Sequence, residues 1–532
     1  MTCAQRLIEL LEAHGIDTAF GIPGVHTIEL YRALGASGLA HLTPRHEQGA
    51  GFMADGYARA SGKPAACFII SGPGMTNIAT AMGQALADSV PMLVISSVNQ
   101  RTTLGRGQGR LHEMPHQGET LSGVSVFSHT LQDPEALPEV LARAFAVFAS
   151  ARPGPVHIEV PLDVMAAPSP EAPLAAPARV FPPAPAPEAL ALAGDWLVKA
   201  ERPLVLLGGG TAAAPEAARA LVERLDAPAF TTINAKGVLG LDHPLDLGAT
   251  QSLPAGRRLA AEADVVLALG TELGETDYDL VFDEGFALDG RLIRVDIDPQ
   301  QLGRNQAAEL AILAEAGQAM RGLLDCLPDA PNRDGATRAA AVREELSLAA
   351  DPELAPYAPL YATLREALPE AIVVGDSTGP VYAGNFLASM PAPRRWFNAA
   401  TGFGTLGYGL PAALGAALAR PEQPVVALVG DGGLQFVLGE LGTARDLGRP
   451  VALVIWNNDG YDEIRRYMSM SEVPHLGVDL AAPNFRALAE AYACRHLDVT
   501  DPASLHDALN RLSDAHSPLI IEVDAAAWAA SL

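Results

Sequence analysis

The chain has 532 residues and a formal net charge of −26. Because this length exceeds what one hydrophobic core supports, three domains are expected. Nucleic-acid binders need a basic surface to meet phosphates, and so the acidic balance excludes that class of partner. Hydrophobic residues make up 49% of the chain and aromatic residues only 5%, which favours helices packed on sheets over an all-β sandwich.

The cellular location is inferred from three features of the sequence. The four cysteines, Cys3, Cys67, Cys326 and Cys494, lie far apart, as free thiols in a reducing compartment do. No basic segment followed by a long apolar run opens the chain, and so we expect no signal peptide. No stretch reaches the roughly 18 apolar residues of a membrane span. These features predict a cytoplasmic protein with no membrane partner.

The first domain is predicted from the alternation of helical and strand patterns. Apolar residues at helical spacing open the chain, and Gly15 ends that helix. Short apolar runs at 68–70, 92–95 and 156–160 then alternate with helical patterns, which is typical of a parallel sheet covered by helices. The segment 166–187 is rich in Pro and Ala and predicts a stiff linker.

The same alternation predicts two further domains. The central one has strands at 204–207, 265–269 and 292–297, and the last one ends in a strand at 518–523. A second linker is predicted at 327–355. We therefore expect an α/β fold of three doubly wound parallel-sheet domains, at 1–165, 188–326 and 356–532.

Polar residues follow two neighbouring strands of the third domain. A predicted strand at 425–429 ends in Asp431, and the next one, at 451–456, ends in Asn458. The carboxyl ends of neighbouring parallel strands meet at one sheet edge, where ligands bind. Oxygen donors are the ligands that Mg²⁺ prefers, and so Asp431, Asn458 and the Gly460 carbonyl predict a magnesium site. Either turn alone is a common loop; the pair on consecutive strands points to function.

The glycines around Asp431 add a phosphate-binding feature. Gly430, Gly432 and Gly433 leave room for a diphosphate to approach the backbone N–H groups at the start of the following helix. A helix with Phe436, Leu438, Leu441 and Ala444 on one face is predicted to follow.

The Gly-Asp-Gly and Asn-Asn pattern resembles the thiamine-diphosphate signature, in which these elements occur at this distance. Other segments are similar to acetohydroxyacid synthases; they are 20–24, 45–47, 71–77, 88–91, 154–161, 295–299 and 402–411. The chain is identified as a member of the thiamine-diphosphate-dependent superfamily of 2-oxo acid decarboxylases and acetohydroxyacid synthases. The resemblance implies a pyrimidine-binding first domain, a diphosphate-binding third domain, and thiamine diphosphate and Mg²⁺ as cofactors.

The resemblance also assigns roles to single residues. Glu47 matches the carboxylate that hydrogen-bonds N1′ of the cofactor's aminopyrimidine ring, and Leu406 matches the bulky residue that holds the cofactor bent. Ser377 and Thr378 have hydroxyls suited to the diphosphate, with a helix N-cap as the alternative. The remaining cofactor contacts that we expect are Pro23, Asn77, Gly404 and Tyr461.

Some segments depart from the relatives. Pyruvate decarboxylases carry an acidic residue where this chain has Val25, and benzoylformate decarboxylases carry a histidine where it has Ile70. Acetohydroxyacid synthases have Phe-Gln-Glu in place of Leu111-His112-Glu113. Their flavin-contacting segments are also missing at 247–250 and 270–275, and so FAD is not expected.

Two groups of residues without a predicted cofactor contact are expected to bind the substrate. His26, His112 and His116 are suited to proton transfer near neutral pH, although a single histidine is more often structural. Val25, Glu113 and Gln117 are predicted to line the same region. Beyond the metal site, the carboxylates of Asp462 and Glu463 suit a guanidinium; the alternative is that they favour a helix N-terminus.

This combination resembles decarboxylases of 5-guanidino-2-oxopentanoate, the 2-oxo acid of arginine. We therefore predict non-oxidative decarboxylation of a small-molecule 2-oxo acid. An acetolactate-synthase-like carboligase and a non-catalytic, cofactor-binding regulatory subunit are the alternatives. In this superfamily Glu47 and the diphosphate site come from different subunits, which implies a homodimer as the minimal active unit and a homotetramer as the usual assembly.

Overall fold

The computed structural model describes residues 1–169, 176–279, 283–329, 333–512 and 517–532. Part of each predicted linker, 170–175 in the first and 330–332 in the second, lies outside the described residues. Within the described ranges, no helix is both long and apolar enough to cross a membrane.

The first domain is a six-stranded parallel sheet with strand order β2-β1-β3-β4-β6-β5. Its strands are β1 Thr18–Gly21, β2 Ala40–Leu42, β3 Ala66–Ile69, β4 Met92–Val98, β5 Phe127–Thr130 and β6 Pro155–Pro161. Its helices are α1 Cys3–Ala13, α2 Ile28–Leu34, α3 Glu47–Ser61, α4 Pro73–Ala87, α5 Gln117–Ser122, α6 Leu137–Ser150 and α7 Leu162–Met165. A capping box formed by Thr2 and Gln5 begins α1, and Gly15 follows its end with φ +85°.

The central domain is a five-stranded parallel sheet with strand order β11-β10-β9-β7-β8. Its strands are β7 Pro203–Leu207, β8 Ala229–Thr231, β9 Val265–Leu269, β10 Arg291–Asp296 and β11 Leu310–Leu313. Its helices are α8 Pro187–Lys199, α9 Pro215–Leu225, α10 Pro254–Glu262, α11 Glu275–Tyr278, α12 Ala316–Cys326 and α13 Gly335–Leu346.

The third domain repeats the topology of the first, with strand order β13-β12-β14-β15-β17-β16. Its strands are β12 Ile372–Gly375, β13 Trp396–Asn398, β14 Val425–Gly430, β15 Ala452–Asn457, β16 Arg495–Val499 and β17 Leu519–Asp524. Its helices are α14 Ala358–Ala367, α15 Gly379–Leu387, α16 Gly409–Ala419, α17 Asp431–Leu434, α18 Glu440–Leu447, α19 Asp462–Met470, α20 Phe485–Ala491, α21 Pro502–Asn510 and α22 Ala525–Ser531.

The prediction of three parallel α/β domains is confirmed, and two local features differ from expectation. The predicted linker 327–355 contains α13, whose Ala339 and Val342 are buried against the central sheet. The single helix expected after Asp431 is divided into α17, a 3₁₀ turn at 435–437 and α18. The turn leaves Phe436 mostly exposed while Val437 and Leu441 reach the core.

Close packing of α3 on α16 joins the first domain to the third. Both helices are rich in Ala and Gly, and α16 is buried on every face from Gly409 to Ala417. A Cβ on Gly56 would lie 2.0 Å from the Ala412 carbonyl oxygen, and one on Gly415 would lie 1.9 Å from that of Met53. The two backbones can therefore approach this closely only because both positions are glycine.

We predict that Gly415→Ala destabilises the protein, although alanine favours helix by about 1 kcal/mol. The added methyl group meets backbone atoms that cannot move aside, and such overpacking costs about 1–3 kcal/mol. The free energy of unfolding should therefore fall when it is measured by denaturant titration.

Gly194→Ala in α8 is the control, because its Cβ would make an ordinary 3.5 Å contact with Cys326. That variant should be as stable as the parent or more so. Equal stability of the two variants would contradict the packing argument.

Candidate active site

Three oxygens converge in the loop 457–460, which we call the metal loop. Asp431 is fully buried at the end of β14, and its Oδ2 accepts a hydrogen bond of 3.0 Å from the Gly460 N–H. The side-chain amide of Asn458 lies 3.1 Å from both Asp431 Oδ1 and the Gly460 carbonyl oxygen. These are the three ligands that the sequence predicts.

The donor set fits Mg²⁺. An octahedral Mg²⁺ about 2.1 Å from each ligand separates neighbouring ligands by about 3.0 Å. When the Asn458 amide oxygen faces the other two oxygens, no proton lies between the three, and a cation relieves their repulsion. In the opposite orientation of the amide, its NH₂ group would donate to both oxygens at 3.1 Å. Burial raises the pKa of the Asp431 carboxyl.

The metal loop is held in shape by its neighbours on the sheet. The Asn457 side chain donates to Glu522 Oε1 at 2.8 Å, and the other Glu522 oxygen is 2.9 Å from the His496 ring. Gly460 has φ +142°, and a Cβ there would lie 2.2 Å from the Val478 carbonyl oxygen. The loop conformation therefore requires glycine at position 460.

Asp376 connects the loops around the predicted diphosphate site. It follows β12 and is buried, and its carboxylate accepts hydrogen bonds from the N–H groups of Ser377, Gly407 and Gly409. Burial is the main reason that its pKa is raised to about 6. A Cβ on Gly433 would lie 3.3 Å from the same carboxylate. Sequence analysis gave Asp376 no role of its own.

The other predicted cofactor contacts of the third domain surround this loop system. Thr378 is buried beside Gly430 and is the N-cap residue of α15, but its hydroxyl makes no capping bond. The Ser377 hydroxyl donates to the Thr405 carbonyl. Tyr461 packs against Gly432, where a Cβ would lie 2.7 Å from its ring.

Two residues of the loop after β13 leave room for a ring. Gly404 has φ +70° and open space where a side chain would be. Leu406 is half-buried beside it. A backbone free of side chain next to an apolar residue suits a flat heterocycle, and so these residues fit the cofactor's ring system.

Glu47 is the first residue of α3, and contacts from both domains position it. The Asn77 side-chain amide donates to Glu47 Oε2 at 2.9 Å. Glu440 of α18 is buried and accepts hydrogen bonds from the backbone N–H groups of Arg45 and His46, immediately before Glu47. Gly49 provides the room, since a Cβ there would lie 2.3 Å from Glu440 Oε1. The sequence offers no signal for Glu440, because its partners lie almost four hundred residues away.

Two of the three predicted histidines form a pair in the first domain. The His26 and His112 rings meet edge to face with centroids 5.2 Å apart, and His26 Nδ1 lies 2.6 Å from the Ser71 hydroxyl. Burial, followed by the charge of His112, lowers the pKa of His26. Gly74, three residues beyond Ser71, lies against Glu47. The loop 71–74 thus links the histidine pair to Glu47.

The neighbouring predicted residues have different surroundings. His116 is exposed and lies 3.6 Å from Glu119. Glu113 accepts hydrogen bonds from the backbone of Gln108 and Arg110, which lowers the pKa of its carboxyl. Two further residues, Pro23 and Val25, are exposed beside the pair.

Gln117, which the sequence predicts to line the substrate region, is buried. Its amide group donates to the Ser97 carbonyl at 2.9 Å and to Glu159 at 3.0 Å, while its oxygen accepts from the Gly72 N–H at 3.0 Å. The side chain is therefore engaged within the protein.

The two acidic residues expected to bind a cation already have partners. Asp462 accepts from Arg465 at 3.0 Å, and Glu463 accepts from Arg466 at 2.6 Å, both within the first turns of α19. Glu463 is the more buried, with 29% of its side chain exposed against 56% for Asp462. Ion pairs three residues apart on a helix surface contribute roughly 0.2–0.5 kcal/mol, and so a ligand can displace them.

Comparison with known proteins agrees with this site. Three domain models of the thiamine pyrophosphate enzyme match the chain: the N-terminal TPP binding domain at 1–120, the central domain at 190–323 and the C-terminal TPP binding domain at 374–523. A probable 2-ketoarginine decarboxylase of Pseudomonas aeruginosa is 48% identical over 499 residues, which cover 93% of this chain and 89% of that protein. The chain belongs to the thiamine pyrophosphate enzyme family.

Other members of the thiamine pyrophosphate enzyme family are more distant. The acetolactate synthase isozyme 1 large subunit of Escherichia coli is 31% identical over 540 residues, covering 98% of this chain and 93% of that protein. A probable acetolactate synthase large subunit of Methanocaldococcus jannaschii is 32% identical over 554 residues, covering 98% and 92%. Family membership confirms thiamine diphosphate as the cofactor, while Mg²⁺ and the expected lack of FAD stay predictions.

We predict that Asp431→Asn abolishes most Mg²⁺-dependent binding of thiamine diphosphate, because it removes the charged ligand from a buried three-oxygen site. Asp459→Asn is the matched control: Asp459 is exposed in the same loop at φ +56°, a conformation that asparagine tolerates. Isothermal titration with cofactor, with and without Mg²⁺, should separate the two variants. Equal cofactor affinity in both would remove Asp431 from the metal site.

Proposed function

We propose that this protein catalyses the thiamine-diphosphate- and Mg²⁺-dependent, non-oxidative decarboxylation of 2-ketoarginine, the 5-guanidino-2-oxopentanoate of the sequence prediction. The observation that carries the chemistry is the convergence of the Asp431, Asn458 and Gly460 oxygens. The relative from Pseudomonas aeruginosa, a probable 2-ketoarginine decarboxylase, supports the choice of substrate. A regulatory subunit has no need to keep both this oxygen set and Glu47, which favours catalysis.

Each group of residues has a task in this proposal. The bound cofactor supplies the carbanion stabilisation that amino-acid side chains lack. The metal loop and the Asp376-centred loops hold its diphosphate, and Glu47, fixed by Asn77, binds the pyrimidine ring. The His26–His112 pair donates and accepts protons at the substrate, and burial lowers the pKa of His26, which favours its neutral form. Glu463 binds the guanidinium in exchange for Arg466.

We also propose a homodimer as the minimal active unit and a homotetramer as the full assembly. Apolar side chains are exposed next to both halves of the site: Val25 and Leu111 beside the histidine pair, and Ile464, Tyr467 and Met470 on α19. Clustered exposed apolar residues mark interaction surfaces. A second copy of the chain would cover these residues and bring Glu47 to the other protomer's cofactor.

Glu47→Gln tests the catalytic role of the carboxylate. We expect kcat to fall by about a hundredfold or more, as loss of a proton-transfer partner does. Cofactor affinity should change little, because the diphosphate contacts are intact. Glu29→Gln is the control and should keep full activity, because Glu29 is a half-buried first-turn acid of α2 that pairs with Arg32. Undiminished turnover of Glu47→Gln would remove Glu47 from the proposal.

Substrate preference is tested on a panel of 2-ketoarginine, pyruvate, benzoylformate and branched 2-oxo acids. We expect the highest kcat/KM for 2-ketoarginine. Glu463→Gln should lower it by about tenfold to a hundredfold, the value of a charge-assisted hydrogen bond, with a smaller loss in Asp462→Asn. Neither substitution should alter turnover of the neutral acids.

Asp479→Asn is the control for this comparison, since Asp479 also contacts Arg465 but lies outside the start of α19. Product analysis distinguishes the aldehyde of a decarboxylase from the acetohydroxy acid of a carboligase. Better turnover of neutral acids, or an unchanged preference in both helix variants, would contradict the cationic substrate.

A further inference from the structure

A buried polar layer lies behind the histidine pair, on the face of the first sheet beneath α5. Glu159 of β6 is 5% exposed, and Gln117, the first residue of α5, is 3% exposed. Glu159 Oε1 accepts a hydrogen bond of 2.5 Å from the Thr130 hydroxyl, and its Oε2 accepts from the Gln117 amide. Burial raises the pKa of the Glu159 carboxyl. The proposed function gives this carboxyl no task.

The layer is connected to the histidine pair through the loop 71–74. The Gln117 oxygen holds the Gly72 N–H, and the Ser97 hydroxyl accepts from the Ser71 N–H at 3.0 Å. Gly72 has φ +68°, and a Cβ there would lie 2.9 Å from the His112 carbonyl oxygen. Ser71 in turn holds His26. His26 therefore contacts Ser71, and the His112 backbone lies against Gly72. The backbone N–H groups of Ser71 and Gly72 are in turn hydrogen-bonded to Ser97 and Gln117.

The orientation of the Gln117 amide is fixed, because its oxygen and its NH₂ group each have hydrogen-bond partners. Its oxygen can hold Gly72 only while its NH₂ group points the opposite way, towards Ser97 and Glu159. An acceptor must therefore remain at position 159, because the Ser97 carbonyl pairs with only one of the two N–H bonds of the amide. The second N–H, buried without an acceptor, costs about 1–3 kcal/mol and favours a displaced side chain. If the amide turns over, its NH₂ group meets the Gly72 N–H, and the two donors repel.

We infer that Glu159 and Gln117 are positioning residues, which set the geometry of the His26–His112 pair through the backbone of Ser71 and Gly72. This inference rests on the proposed role of that pair in proton transfer. Neither residue needs to touch the substrate. The requirement at position 159 is a hydrogen-bond acceptor of glutamate length, and a negative charge is not required.

The test compares Glu159→Gln with Glu159→Leu in the holoenzyme. Glu159→Gln keeps an acceptor for Gln117 and can donate to Thr130, and so its kcat should stay close to that of the parent. Glu159→Leu has no acceptor, and kcat should fall by about a hundredfold, the cost of a misplacement of roughly 1 Å. KM for the 2-oxo acid and cofactor affinity should change less than kcat, because neither Glu159 nor Gln117 contacts the substrate or the cofactor in this proposal.

Two further variants complete the series. Gln117→Met removes the Gly72 partner from the other end and should reproduce the kcat loss, even where Glu159→Leu fails to fold. Ser128→Ala is the control: Ser128 belongs to the same buried layer but contacts His157, 2.7 Å away, and not Gln117. Its kcat should match that of the parent.

The surroundings of His26 and His112 can be measured directly by NMR. The spectra are recorded without substrate on protein whose histidines carry ¹³C at Cε1. The His26 and His112 signals should shift in Glu159→Leu and Gln117→Met and stay unchanged in Glu159→Gln. Unchanged signals and kcat in all variants would overturn the inference, as would an equal kcat loss in Glu159→Gln and Glu159→Leu. Shifted signals with unchanged kcat would uphold the positioning and overturn the catalytic role of the pair.

Discussion

The contact between α3 and α16 is the constraint on which the rest of the structure depends. Gly56 and Gly415 allow the two backbones to touch. The buried Arg59 of α3 forms ion pairs with Asp55 and Asp88 in the same region. Because Glu47 begins α3, the crossing of the two helices fixes the position of Glu47 relative to the third domain. Glu440 can then reach across to the first turn of α3. A substitution in the contact between α3 and α16 would thus move Glu47, the residue proposed to bind the pyrimidine ring.

The first and third domains share one strand order, and different residues follow the carboxyl ends of the strands in each domain. In the third domain, Asp376, Asp431 and the metal loop follow β12, β14 and β15, around the point where the strand order reverses. In the first domain, the loop 71–74 follows β3, and the histidines gather around it. Parallel strands place loops with no sequence proximity side by side, and so each half of the site is assembled from short, separate segments.

The sequence predicted those parts of the site that depend on local pattern. Asp431, Asn458 and Gly460 stand at strand ends that hydrophobic runs define, and their convergence follows from the parallel topology. The hydrogen bonds of Gln117 to Glu159 and Gly72 could not be predicted, because a polar residue in a loop carries no sign of partners that lie 42 and 45 residues away. Glu440 and Asp376 were missed for the same reason, since a long-range partner determines what each one does. The division of the helix after Asp431 also depends on packing, which helical spacing does not reveal.

The pairing of Glu463 with Arg466 changes what a cationic substrate must do. The residues 462–466 carry two acids and two arginines, and so this helix start has no net charge to attract a guanidinium over distance. If Glu463 binds the substrate as proposed, selectivity comes from exchange, in which the substrate guanidinium replaces that of Arg466 at the Glu463 carboxylate. Water and salt screen the solvent-exposed ion pair between Arg466 and Glu463, which makes it weak. The exchange therefore favours the substrate only where the new ion pair with Glu463 is shielded from water. Closure by a second protomer over α19 would supply that exclusion of water, and so assembly and specificity are expected to depend on the same surface.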